Sequence, residues 1–199
     1  EKIHSPNHPD VAMSLDNLGS LYADQFRFDL AEPLYKRALA IYVQAYDPDH
    51  PKVADSHMVL ANLYKGQGRY AEVEQLYQKS LAIYEQAYID DDHPDIAMNL
   101  YNLAGLYKVQ SRYTESEPLF QRALAILEKI HSPNHPNVAD SLNGLASTYT
   151  DLGRYAEAEK LYKKALKILE KIHRPKHPGI AMILNNLAAL YHKQNLYAE

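Results

Sequence analysis

The chain has 199 residues, 46% of them apolar and 23% charged, with a net charge of -4, seventeen Tyr and no Cys. Its acidic balance lacks the basic footprint of a nucleic-acid binder, and without Cys there are no disulfides, thiolate metal sites or Cys nucleophiles. No run approaches ~18 consecutive apolar residues and residues 1–7 carry no signal-peptide pattern, so a cytoplasmic chain with no membrane contact is expected.

The dipeptide His-Pro returns at His8-Pro9, His50-Pro51, His93-Pro94, His135-Pro136 and His177-Pro178, at intervals of 42, 43, 42 and 42 residues. A period in this range marks stacked supersecondary units that cannot bury their apolar faces alone. The repeats run 8–49, 50–92, 93–134 and 135–176, with 177–199 as the first helix of a fifth. Residues 1–7 match 128–134 residue for residue and read as the tail of a preceding repeat, so the chain is expected to be a single array cut from a longer one.

Within each repeat the apolar spacing resolves into two helices. Pro at the first helical position starts the first helix, because its preset φ suits the helix and its missing N–H costs no bond there. In the fourth repeat Val138, Leu142, Leu145, Ala146 and Tyr149 recur at helical intervals, Gly153-Arg154 interrupts, and Ala158, Leu161, Tyr162, Ala165 and Ile168 resume the period. Gly68 and Gly153 supply the turn, with Ser111, Asn195 and the unusual Phe26 in the same place elsewhere. Asp29-x-x-Glu32 and Thr114-x-x-Glu117 have the spacing of capping boxes opening the second helix. Columns of small residues, Ala31, Val73, Ser116 and Ala158, then Ala38, Ser80, Ala123 and Ala165, let helix axes approach closely. The expected fold is all-α, an α-α superhelix of antiparallel hairpins with about four and a half repeats.

Leu142, Leu145-Ala146, Tyr149, Ala158, Tyr162 and Ala165 reproduce the column pattern of the tetratricopeptide repeat, which the chain resembles. The longer period, and the motif His-Pro-x-Val-Ala followed by Gly-Arg-Tyr-x-Glu-Ala-Glu at 135–159, is similar to the repeats of kinesin light chains and their bacterial relatives. His57, in a column otherwise held by Leu, and one inserted residue within 89–92 depart from that pattern. The resemblance implies a non-catalytic scaffold that binds a protein or peptide on the first helices.

No catalytic constellation emerges from the residues themselves: carboxylates are scattered on polar faces, and no nucleophile elbow, phosphate loop or metalloprotease helix occurs. The pairs His4/His8, His131/His135 and His173/His177 recur by duplication around Pro, and no carboxylate or Cys completes a metal set. No metal and no cofactor are therefore expected. Sixteen of the Tyr fall in recurring columns and read as packing, which leaves Tyr101 as the aromatic candidate for a ligand contact.

The resemblance places a binding groove on the first helices, and the matching candidates are Asn17, Asn62, Lys65, Met98, Tyr101, Asn102, Lys108, Asn143, Asn185 and Asn186. Asn carboxamides donate and accept at once, as a peptide backbone does, and Asn inside helices carries a propensity cost that asks for a reason. Lys65 and Lys108 could receive an acidic side chain. The alternatives are a sensor arm of a larger signalling protein, and weak self-association through the truncated ends, where Leu184, Leu187 and Leu190 form an apolar face.

Overall fold

A computed structural model describes residues 6–90, 92–174 and 176–196, and the described residues form nine α-helices and no strand. Residues 1–5, including His4, and 197–199, including Tyr197, lie outside them. The chain divides into two compact units, Glu1–Asp90 and Asp91–Glu199, and the division falls on the segment with the inserted residue. The first unit holds two hairpins, α1 (Pro9–Asp24) with α2 (Phe28–Ala45) and α3 (Pro51–Gly66) with α4 (Tyr70–Ala87). The second holds α5 (Pro94–Val109) with α6 (Tyr113–Ile130), α7 (Pro136–Asp151) with α8 (Tyr155–Ile172), and α9 (Pro178–Leu196). In each unit the second helix of one hairpin packs on the first helix of the next.

Each first helix begins at the expected Pro, and the His before it is the cap. Nδ1 of His8, His50, His93, His135 and His177 accepts the backbone N–H two residues on, at 3.1–3.2 Å. That bond satisfies one of the orphan donors of the first turn and requires an unprotonated Nδ1. The rings of His135 and His177 also stack on His131 and His173, with centroids 3.7 Å apart in each pair. The His131/His135 and His173/His177 pairs are therefore structural parts of the inter-repeat turn.

The turns inside the hairpins follow one plan. Phe26, Gly68, Ser111 and Gly153 all adopt positive φ, from 59° to 77°. Asn195, expected as a further turn residue, lies within α9. The expected capping boxes are not formed. The second helices start earlier, after Arg27 and Arg112, neither of which makes a side-chain cap bond. Glu32 and Glu117 have another role: they accept from Arg69 Nη1 at 3.0 Å and Arg154 Nη1 at 2.7 Å, on the next hairpin. The guanidinium groups of Arg69, Arg112 and Arg154 lie 3.6–4.0 Å from the ring centroids of Tyr64, Tyr107 and Tyr149 and also pair with Glu72, Glu115 and Glu157. This Arg ties the turn to its own hairpin by cation–π contact and, at Arg69 and Arg154, to the preceding one by charge.

The small columns of the second helices are fully buried throughout. Ser80 and Ser116, the polar members, donate to the carbonyls of Ala54 and Ala104 at 3.0 and 2.8 Å, so their burial leaves no unpaired hydroxyl. Of the expected apolar face on α9, Leu187 and Leu190 are buried against the rest of the second unit and only Leu184 is exposed. The helix turns that pair inward, so the apolar surface exposed on α9 is Leu184 with Met182 and Tyr191.

Candidate functional site

Three of the sequence candidates are committed to the fold. Asn62 Oδ1 accepts from Tyr77 Oη at 2.7 Å, and burial pushes that phenol up to about 12. The bond belongs to a column: Ser20 bonds Tyr35, Ser147 bonds Tyr162, and where the ring is Phe120 the partner position is Gly105. Asn143 Oδ1 accepts from Asn186 Nδ2 at 2.9 Å, linking α7 to α9.

The cations divide differently. Lys108 is not free for an acidic ligand: its ammonium lies 3.5 Å from Asp151, whose other oxygen takes Lys193 at 2.9 Å. Lys65, Asn17 and Asn185 are exposed, and Asn102 is half-buried.

Met98 and Tyr101 come together in a pocket of about 190 Å³ between α5 and α7, floored by Leu127 of α6. Its lining continues through Pro94, Asp95, Ala97, Asn137, Asp140 and Ser141. Met98 is 49% exposed at the rim, while the Tyr101 ring meets Phe120 edge-on with centroids 5.4 Å apart. Phe120 in turn lies over Gly144, where a Cβ would come within 2.5 Å of the ring, so Gly144 lets Phe120 sink and Tyr101 lean against it. Burial and the charge of Asp140 both push the Tyr101 phenol up, which keeps it a neutral donor.

Asp140, a groove position on a first helix that was not among the site candidates, and Ser141, which the sequence did not single out, stand out on comparison along the repeat. The corresponding carboxylate of the first unit, Asp55, accepts from Tyr84 Oη at 2.6 Å and pairs with Lys52 at 3.1 Å. Asp140 has Leu169 in the place of Tyr84 and Asn137 in the place of Lys52, and it makes no hydrogen bond or ion pair among the described residues. Although the residue is exposed, desolvation pushes its carboxyl above the usual range, with His177 offsetting only part of the shift. Ser14 and Ser56 donate to the carbonyls four residues back, at 2.8 and 3.1 Å, whereas the Ser141 hydroxyl in the same column is buried with no partner. Met13, Asp55, Met98, Asp140 and Met182 alternate in the Asp140 column along the chain, and the exchange of Lys52 for Asn137 on the same helix is visible there too; the Tyr84 partner lies on another helix and is not.

The fold defines the class: a repeat of helical hairpins whose polar groups of interest face outward from the first helices. The tetratricopeptide repeat model matches residues 1–42, 10–86, 95–171 and 141–199, and the chain belongs to that family. Among solved structures, the chain is similar to nearly identical TPR-like repeats from Podosopora anserina, described as a kinesin light chain, at 25% identity and a TM-score of 0.80 over 95% of this chain and 89% of that one. BtubC (BKLC) from P. vanneervenii shares the fold at 22% identity and a TM-score of 0.83, over 94% and 74%. Aspartyl phosphate phosphatase F from Bacillus subtilis shares it at 18% identity and 0.75, over 92% of this chain and 44% of that one. No curated protein sequence matched. No helix among the described residues is long and apolar enough to cross a membrane.

Proposed function

We propose that this chain is a non-catalytic scaffold for protein–protein interaction that seats a peptide segment along α5 and α7. The observation carrying this reading is the pocket at Tyr101, with Met98 exposed at its rim and a half-buried aromatic in its wall. Anchors of this kind, a rigid ring and a pliable thioether around a concavity, are where binding energy concentrates. About 190 Å³ suits one or two side chains of a peptide; small-molecule sites more often exceed ~300 Å³. Membership of a repeat family whose members act as scaffolds supports the same reading.

Selection of a displayed random-peptide library on the intact chain provides the test. Enriched peptides are expected to lose at least about tenfold in affinity, or ~1.4 kcal/mol, on the Tyr101→Ala, Asn102→Ala double variant. Failure to enrich any peptide, or unchanged affinity on that variant, overturns the site.

A further inference from the structure

Resting on that reading, we infer that the pocket between α5 and α7 receives the side chain of a lysine or arginine from the peptide. The first unit shows what the carboxylate at this register is paired with when the chain satisfies it internally: the ammonium of Lys52 and the phenol of Tyr84. In the second unit both donors are replaced, by Asn137 and Leu169, and the space beside Asp140 is a pocket. Ser141, 1% exposed and with no hydrogen-bond partner, lines that same pocket and supplies a second acceptor.

The walls fit the stem of the same side chain. Met98, Ala97 and Leu127 offer apolar surface to a run of methylenes, as long basic side chains bury their stems while their heads stay polar. The Tyr101 ring adds a π face for the cation. Lysine presents three donors, which Asp140, the Ser141 hydroxyl and the Asn137 carboxamide oxygen can accept.

Competing occupants fare worse. An acidic side chain would meet Asp95 and Asp140 with no Lys or Arg in the lining. A purely apolar one would cover Asp140 and Ser141 without pairing them, which costs the desolvation of both groups. The desolvated state of the Asp140 carboxyl agrees with this, since a bound cation favours its charged form.

The test extends the peptide selection with three variants. Asp140→Asn removes the charge. Asn137→Lys installs the ammonium that Lys52 provides in the first unit, so the chain fills its own site. Leu127→Tyr places a ring in the pocket, as Tyr42 stands at that position in the first unit, and should weaken the Lys or Arg peptide at least about tenfold by occupying its space.

Enriched peptides are expected to share a Lys or Arg at one position, and replacing it by norleucine or Glu should weaken binding at least about tenfold. Asp140→Asn and Asn137→Lys should each weaken the Lys or Arg peptide to a similar degree, and Asp140→Asn should leave the norleucine peptide no weaker than on the parent. Thermal melts should show both variants folded, with Asn137→Lys at least as stable as the parent.

If peptides bind and respond to the Tyr101→Ala, Asn102→Ala variant but carry no fixed basic position, or ignore Asp140→Asn, this inference falls and the scaffold reading stands. If no peptide is enriched, both fall.

Discussion

The hairpins α3–α4 and α7–α8 share a register and most of their core, with Val53 and Ala54 matching Val138 and Ala139 in full burial. They differ in what surrounds one carboxylate. In the first, Asp55 sits between Lys52 and Tyr84; in the second, Asn137 and Leu169 hold those two positions and Asp140 borders a pocket. Two exchanges convert a self-satisfied position into an open one without touching the packing columns. A repeat can therefore keep its fold constant while distributing recognition unevenly, because the buried small residues and the outward polar ones are different columns.

Breaking the satisfied site should cost most. Tyr84→Phe strips Asp55 of its phenol donor on a side chain that is 3% exposed, and a loss of roughly 1–2 kcal/mol is expected from urea denaturation. An unchanged midpoint would mean that Lys52 alone satisfies Asp55 and that the contrast with Asp140 is smaller than the distances imply.

A second difference sharpens the comparison. His57 stands where Leu142 stands in α7, and its Nδ1 is buried without a partner. Burial, with the nearby charge of Lys79, holds the ring below its usual value of about 6.5, so the unfolded chain takes up the proton first. Its contribution is fully present above about pH 6.5 and is lost as pH falls toward the depressed folded value. His57→Leu should stabilise the protein by about 1 kcal/mol at neutral pH, and by more in acid. Parallel pH dependence in parent and variant would show that His57 is not the group that titrates.

The smallest effect is expected at the open site itself. Asp140 carries a folded carboxyl raised above the unfolded one, so it favours the fold at low pH and penalises it increasingly as pH rises through the carboxylate range. Asp140→Asn should therefore raise the melting temperature slightly at pH 7, with the gap closing below about pH 3.9. A lower melting temperature at pH 7 would show that the carboxylate is satisfied in the free protein.

The helices and their packing columns were legible because burial repeats with the period: Pro marks each start and a small residue recurs wherever axes meet. The capping boxes misled because their spacing is also that of Glu32 and Glu117 reaching across to Arg69 and Arg154. His as N-cap was hidden behind its resemblance to a metal pair, although its invariant place before Pro was a usable signal. Asn62 and Asn143 were readable as polar residues on first helices, but their bonds to Tyr77 and Asn186 join residues 15 and 43 apart in sequence.

Periodicity by itself determined the hairpins, the turn positions and the family, since each follows from local propensity and from which face must leave water. Only the tertiary structure decided which polar groups are spent and which are open. Lys108 lies against Asp151, and Asp140 lacks the phenol that Tyr84 gives Asp55, because of which side chains the neighbouring helices bring close, and that depends on distance in space, which spacing along the chain does not encode.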